Sequence, residues 1–151
     1  MPDLLPFKDE DYPGILNLTR ESMGPILRES LDIEFNEDLF RHMLADEETT
    51  TLVMHDGDAM VGYVAFYPAD DHMFINWLVV HPNYRNCGFA TMLLDEVGRA
   101  AAKSGLRALR ICLQENNRPA IALCEAVGFQ RLSAEPVGLI MEKKVVAERG
   151  D

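Results

Sequence analysis

The sequence predicts a single mixed α/β domain, and three observations carry that prediction. Asp56-Gly57-Asp58 lies between two β-type runs and reads as a hairpin turn. The run His72–Val80 is apolar on both faces, as a strand covered from two sides must be. From Gly88 the apolar period lengthens to that of a helix, and another extended run follows, which makes a strand–helix–strand unit. At 151 residues the chain can bury one core without disulfides or metal.

In chain order, Leu4 to Phe7 is a short first strand. Helices are expected around Asp9–Met23 and Asn36–Leu44. In the first, Ile15, Leu16, Leu18 and Met23 supply the apolar face. Gly24-Pro25 is expected to end it, because proline lacks the amide that a helix interior needs. Asn36 reads as the N-cap of the second, with Leu39, Phe40, Met43 and Leu44 at helical spacing. Thr50–His55 and Ala59–Tyr67 are the hairpin strands. Strict alternation in His72–Val80 sets Met73, Ile75, Trp77 and Val79 on one face and Phe74, Leu78 and Val80 on the other. Asn76 is the polar exception, and Trp77 reads as core.

Ala90, Leu93, Leu94, Val97 and Ala101 form one stripe of an amphipathic helix that ends near Ser104-Gly105. Leu106–Leu113 is a further strand. Asn117 caps a short helix to Ala126, with Pro119 in its first turn and Gly128 after its end. Gly138–Lys144 is the last strand. Residues 1–144 read as one domain and 145–151 as a C-terminal tail.

A hydrophobic share of 48% and a charged share of 26% are those of an ordinary globular chain. No apolar run approaches the roughly 20 residues that span a bilayer, so no membrane association is expected. The start Met-Pro-Asp-Leu-Leu lacks the basic-then-apolar pattern of a secretory signal, and a cytoplasmic location is expected. Cys87, Cys112 and Cys124 form no Cys-x-x-Cys pair, and His42, His55, His72 and His81 no His-x-x-x-His pair. Neither a disulfide framework nor a bound metal is expected.

The net charge of −11 is unevenly placed. Residues 1–60 hold 15 acidic against 4 basic side chains, while the remainder hold 10 of each. Without a basic patch, nucleic acid is excluded as an expected partner. The acidic half either attracts a cationic substrate or serves solubility alone.

The stretch from Val79 to Ala90 carries the chemistry. A buried strand ends at Val80 and a helix opens near Gly88, so several unpaired amides and the positive helix end share one small volume. That arrangement suits a pyrophosphate. Gly88 permits close backbone approach and Arg85 adds a positive charge.

This stretch resembles the pyrophosphate loop of the GNAT superfamily of N-acetyltransferases, Arg/Gln-x-x-Gly-x-Gly/Ala after Val-x-Pro-x-Tyr. Here it reads Val80-His81-Pro82-Asn83-Tyr84 and then Arg85 to Ala90. A second family segment, Asn-x-x-Ala-x-x-Leu-Tyr-Glu-x-x-Gly-Phe, is matched at Asn117, Ala120, Leu123, Glu125, Gly128 and Phe129, with Cys124 where the family has Tyr. The resemblance implies a central mixed, mostly antiparallel twisted sheet with helices on both faces. It also implies an acyl-CoA co-substrate, acetyl-CoA above all, and transfer of its acyl group to an amine.

Residue by residue, the resemblance places Leu78, Val79 and Val80 along the pantetheine arm, with the Val80 amide polarising the thioester carbonyl. The amides of Asn86, Cys87, Gly88, Phe89, Ala90 and Thr91 would hold the pyrophosphate beside Arg85, and Asn117 would approach the thioester. Tyr84 either stacks near the cofactor or packs in the loop. Cys87, at a helix start, is either a redox-sensitive thiol or a tolerated loop residue. Cys112 occupies a position where some members carry Glu. Cys124 is either a proton donor or a small buried side chain, and the frequency of buried free Cys favours the second. Glu115 is the nearest acid, ahead of Asp70, Asp71 and His72.

The acceptor side, in this family built partly from the first helices, leads to an acidic rim of Glu29, Asp32, Glu34, Glu37 and Asp38, with Glu34 and Glu37 binding substrate. The expected acceptor is a small cationic amine. A protein N-terminus or lysine is the enzymatic alternative, and a non-catalytic acyl-CoA-binding module the alternative of another class. A homodimer is left open.

Overall fold

The computed structural model describes residues 2–146. Its elements run β1 (Asp3–Pro6), α1 (Tyr12–Leu31), α2 (Glu37–Ala45), β2 (Thr50–Asp56), β3 (Ala59–Ala69) and β4 (His72–Val80). After these come α3 (Phe89–Lys103), β5 (Ala108–Leu113), α4 (Arg118–Ala126), β6 (Gln130–Glu135) and β7 (Gly138–Lys144). The strands form one sheet in the order β1-β2-β3-β4-β5-β7-β6, in which β4 and β5 pair parallel and every other pair is antiparallel.

Each sheet face buries its own core. On one face α3 and α4 bury Leu93, Leu94, Val97, Ala101 and Ile121 against Val64, Ile75, Ile111 and Met141. On the other, Ile15 and Leu18 of α1 and Phe40 of α2 close over Val53, Tyr63, Ala65 and Val79. Trp77 packs edge-on against Phe35 and Phe40 in this second core. Tyr63 is fully buried, and its hydroxyl is hydrogen-bonded to Thr19. No helix among the described residues is long and apolar enough to cross a membrane.

Three sequence expectations need correction. Helix α1 does not stop at Gly24-Pro25; it continues to Leu31 and ends on Asp32, whose φ of 54° turns the chain left-handed. Pro25 removes one backbone hydrogen bond. Burial of Ile15 and Leu18 anchors the helix before it, and hydrogen bonds at Ile26 and Ser30 anchor it after. Glu29 therefore lies within α1, not in the segment between the helices. Strand β6 was unforeseen because Gln130 to Glu135 is an exposed edge with no apolar period.

The third correction is in β4. Ala65 pairs with Trp77 while the next residue, Phe66, pairs with Ile75, so Asn76 is an extra residue in a β-bulge. The bulge exchanges the faces. Met73, Ile75, Leu78 and Val80 turn toward α3, whereas Trp77 and Val79 turn toward α1 and α2. As for the chain end, Val145 donates to the Arg107 carbonyl at 2.8 Å; the rest of the expected tail beyond Val146 lies outside the described residues.

Candidate active site

Strands β4 and β5 begin side by side and then separate. Their pairing runs from His72↔Ala108 to Ile75↔Ile111 and stops at the bulge. Trp77 to Val80 keep β3 on one side and have no strand on the other. The His81 amide donates to the Val61 carbonyl at 2.7 Å. With a period of two, Val79 is likewise committed to β3, and the backbone groups of Leu78 and Val80 face the open fork.

The fork leads to the N-terminus of α3. Asn86 and Gly88 both take left-handed conformations, with φ of 63° and 80°. Such turns direct successive amides into one concavity. The first backbone bond of α3 runs from Met92 to the Gly88 carbonyl at 3.1 Å, and no side chain caps the helix. The amides of Phe89, Ala90 and Thr91 are thus left free, at the positive end of the helix dipole. A Cβ built on Gly88 would meet nothing within 4 Å, so the space before the helix is open.

Fork and cradle form one cavity of about 450 Å³. Leu78, Val79, Val80, Arg85, Asn86, Gly88, Phe89, Ala90, Thr91 and Asn117 all line it, as does Tyr84. Sequence reasoning missed the opposite wall, made by Ser22, Met23 and Ile26 of α1 with Asn116, Pro119, Ala120 and Leu123. Of the α1 wall, Ser22 and Met23 lie in the expected helix, whereas Ile26 lies beyond the end expected at Gly24-Pro25. Asn116 Nδ2 donates to the Ile26 carbonyl at 3.3 Å and so ties α1 to the β5–α4 loop. Its Oδ1 is buried without a partner.

Other predicted residues lie elsewhere. Cys87 is exposed at the cradle rim and its Sγ is 3.6 Å from the Arg85 carbonyl oxygen. Cys124 is fully buried in the core under α4, and the cavity is lined by its neighbour Leu123 instead. Burial pushes its thiol up to about 11. The proton-donor reading of Cys124 is therefore corrected in favour of packing: a helix presents residues 120 and 123 to the cavity and turns 121 and 124 to the core. Glu115 is corrected too. It is exposed on the far side of α4, among Arg118, Glu125 and Arg131.

Two of the five carboxylates of the acidic rim are ion-paired. Glu37 holds Arg20 at 2.9 Å and Arg41 at 2.8 Å, and Tyr12 donates to it at 3.3 Å. Glu34 lies 3.5 Å from Arg28. Both carboxylates thus share their charge with arginines, Glu34 across an exposed pair. Asp71 and His72 sit at the start of β4, away from the fork, within 3.5 Å of each other. Among the described residues no group of three or more His, Cys, Asp and Glu is placed to hold a metal ion.

A coenzyme A-type ligand fits this cavity on two counts. The free amides before α3 match a pyrophosphate, and the orphaned Asn116 oxygen matches an amide N–H of a pantetheine arm.

Comparison with known proteins agrees with that geometry. The bovine thialysine N-epsilon-acetyltransferase is 27% identical, over 83% of this chain and 82% of that protein. An uncharacterized N-acetyltransferase of Bacillus subtilis is 28% identical over 60% of this chain, a match that spans 61% of that protein's length. Among solved structures, the PaiA N-acetyltransferase of Thermoplasma acidophilum, in complex with coenzyme A, superposes with a TM-score of 0.77. It is 16% identical, and the match covers 95% of this chain and 99% of that one. The ribosomal-protein-S18-alanine N-acetyltransferase of Escherichia coli gives 0.72 at 19% identity, covering 100% and 97%. These two likenesses concern the fold. The pattern of the Acetyltransferase (GNAT) family matches residues 13–129. With the forked sheet, the amide cradle and that match in agreement, the chain belongs to the acetyltransferase (GNAT) family.

Proposed function

We propose that the protein transfers the acetyl group of acetyl-CoA to a primary amine, and that the acceptor is a small cationic amine. The observation that carries this reading is the fork between β4 and β5, which opens directly onto the free amides of α3. The bovine relative is named for acetylating thialysine, a small amino-acid amine, which supports the acceptor class.

Bound there, acetyl-CoA supplies an activated acyl thioester. The amides of Phe89, Ala90 and Thr91, with Arg85 beside them, hold the pyrophosphate and fix the register of the arm. The fork-facing groups of Leu78 and Val80 take the pantetheine as an added strand would be taken. The Val80 amide is aimed to polarise the thioester carbonyl, a preorganised donor that needs no rearrangement as negative charge develops. Asn117 and Asn116 close the opposite side. Among the described residues no carboxylate or histidine lines the cavity, so water at its open end takes the proton of the amine.

A panel of amines screened by thiol release from acetyl-CoA tests the proposal. Release that depends on amine and saturates with it is the expected result. Coenzyme A binding without any release would leave an acyl-CoA-binding module.

A further inference from the structure

Helix α1 lays one stripe of side chains over the sheet. Ile15, Thr19, Ser22 and Ile26 recur at helical spacing, so they share a face. Over β3 that face is sealed: Ile15 and Thr19 are 0% exposed, and Thr19 is hydrogen-bonded to Tyr63. One and two turns later, Ser22 and Ile26 are only half-buried. There α1 lies over the fork, where Trp77 to Val80 have no strand on one side. Ser22, Met23 and Ile26 line the cavity from this face, whereas the cradle and α4 line it from the face of α3.

The cavity therefore passes through the plane of the sheet. A coenzyme A-type ligand with its pyrophosphate at the amides of α3 and its arm along Leu78 to Val80 ends with its acyl group toward α1. That wall is held in place. Ile15 and Leu18 bury the helix before Pro25, and beyond it Asn116 Nδ2 holds the Ile26 carbonyl at 3.3 Å. Ile26 is β-branched, and such a side chain keeps one rotamer in a helix. Met23 beside it is unbranched and can move aside. The wall carries no charge: among the described residues, Arg85 in the cradle loop is the one charged side chain that lines the cavity. An acyl chain ending in a carboxylate would be left without a partner at α1.

We infer that Ile26 is a specificity-determining residue for the acyl group: with Met23 it ends the acyl pocket, which accepts a short uncharged chain such as acetyl or propionyl. This rests on the acyl-CoA reading above. A longer chain must displace a stiff side chain on a pinned helix, and overpacking of that kind is penalised.

Calorimetry with coenzyme A and its acetyl, propionyl, butyryl and succinyl thioesters tests this without an acceptor amine. The wild type is expected to bind acetyl-CoA about 10-fold or more tighter than butyryl-CoA or succinyl-CoA. Ile26→Ala removes the side chain beyond Cβ and should narrow the butyryl difference by about 10-fold, while succinyl-CoA stays weak. Ile26→Phe should move the limit the other way and weaken propionyl-CoA against acetyl-CoA. Coenzyme A lacks the acyl group, so it should bind wild type and both variants alike, which with unchanged circular dichroism establishes that they are folded. Wild-type affinity that ignores chain length would overturn the role of Ile26 while the cradle stands. So would ratios that both variants leave unchanged, or an equal loss for coenzyme A and every thioester in Ile26→Ala. Recovery of succinyl-CoA along with butyryl-CoA would overturn the restriction to uncharged chains. Wild-type protein that binds neither coenzyme A nor any thioester would overturn the acyl-CoA reading as well.

Discussion

The two sides of the fork are built from different material. The cofactor side consists of backbone: free amides before α3, left-handed turns at Asn86 and Gly88, and the unpaired edge of β4. The opposite wall consists of side chains, Ser22, Met23 and Ile26 of α1 facing Asn116, Pro119, Ala120 and Leu123. A backbone site depends on local conformation, so one substitution can obstruct it and few can retune it. A side-chain wall depends on how distant elements pack, here α1 on the β5–α4 loop, so single substitutions can reshape it without touching the cradle.

The sharpest way to break this contrast is Gly88→Glu. A carboxylate in the amide cradle should lower coenzyme A affinity by about 10²-fold or more through like-charge repulsion and lost space, measured by calorimetry. Gly88→Ala is the control for the left-handed backbone, whose cost is about 1–2 kcal/mol of stability. Undiminished affinity in a folded Gly88→Glu protein would remove the cradle from the site.

Next in size are changes at Cys124. Its 0% exposure leaves no room for a larger group, so Cys124→Tyr should cost about 1–3 kcal/mol by overpacking, read by chemical denaturation. Cys124→Ala should keep turnover within about twofold, below the usual scale of a lost general acid. A loss of about 10²-fold in a folded Cys124→Ala would return the thiol to the chemistry.

A smaller effect is expected at Glu37. Glu37→Gln releases Arg20 and Arg41 from their pairs, and KM for a cationic amine should stay within about twofold. A marked rise in KM would restore the acidic rim to substrate binding.

The smallest effect concerns pH. Hydrogen bonds from Lys144 and then Arg110 hold the Glu142 carboxyl below its usual range. A group lowered on folding contributes stability above its unfolded pKa of about 4.3, and that contribution is lost as pH falls through the folded value. The Tm difference between wild type and Glu142→Gln should therefore be largest near neutrality and shrink below about pH 4. A difference that is flat with pH would mean that the pair adds nothing to folding.

Much of the fold was legible because it follows from local rules. The Asp56-Gly57-Asp58 turn, the stripe of α3 and the Pro119 start of α4 each appear where sequence places them. So does the cradle, since a strand end, a glycine and a helix start are adjacent in the chain. What failed was tertiary. Pro25 was read by its intrinsic cost, whereas hydrogen bonds at Ile26 and Ser30 fix the helix after it. Edge strand β6 has no buried face to give it a period. Glu37 was counted as a free charge although Arg41 is its i+4 neighbour on α2; only Arg20, from α1, is a partner that tertiary folding supplies.

Asn76 has a wider consequence. Skip it, and the faces of β4 alternate without interruption: Ile75 toward α3, Trp77 toward α2, Leu78 toward α3, Val79 toward α1. The binding cavity is thus the product of a one-residue insertion in an otherwise regular strand. Shortening the chain by that residue would let the parallel ladder with β5 continue past Ile111 and zip the fork shut. Such a deletant should melt at a higher temperature than its parent and bind no coenzyme A. The working protein forgoes several ladder hydrogen bonds so that a substrate can supply them.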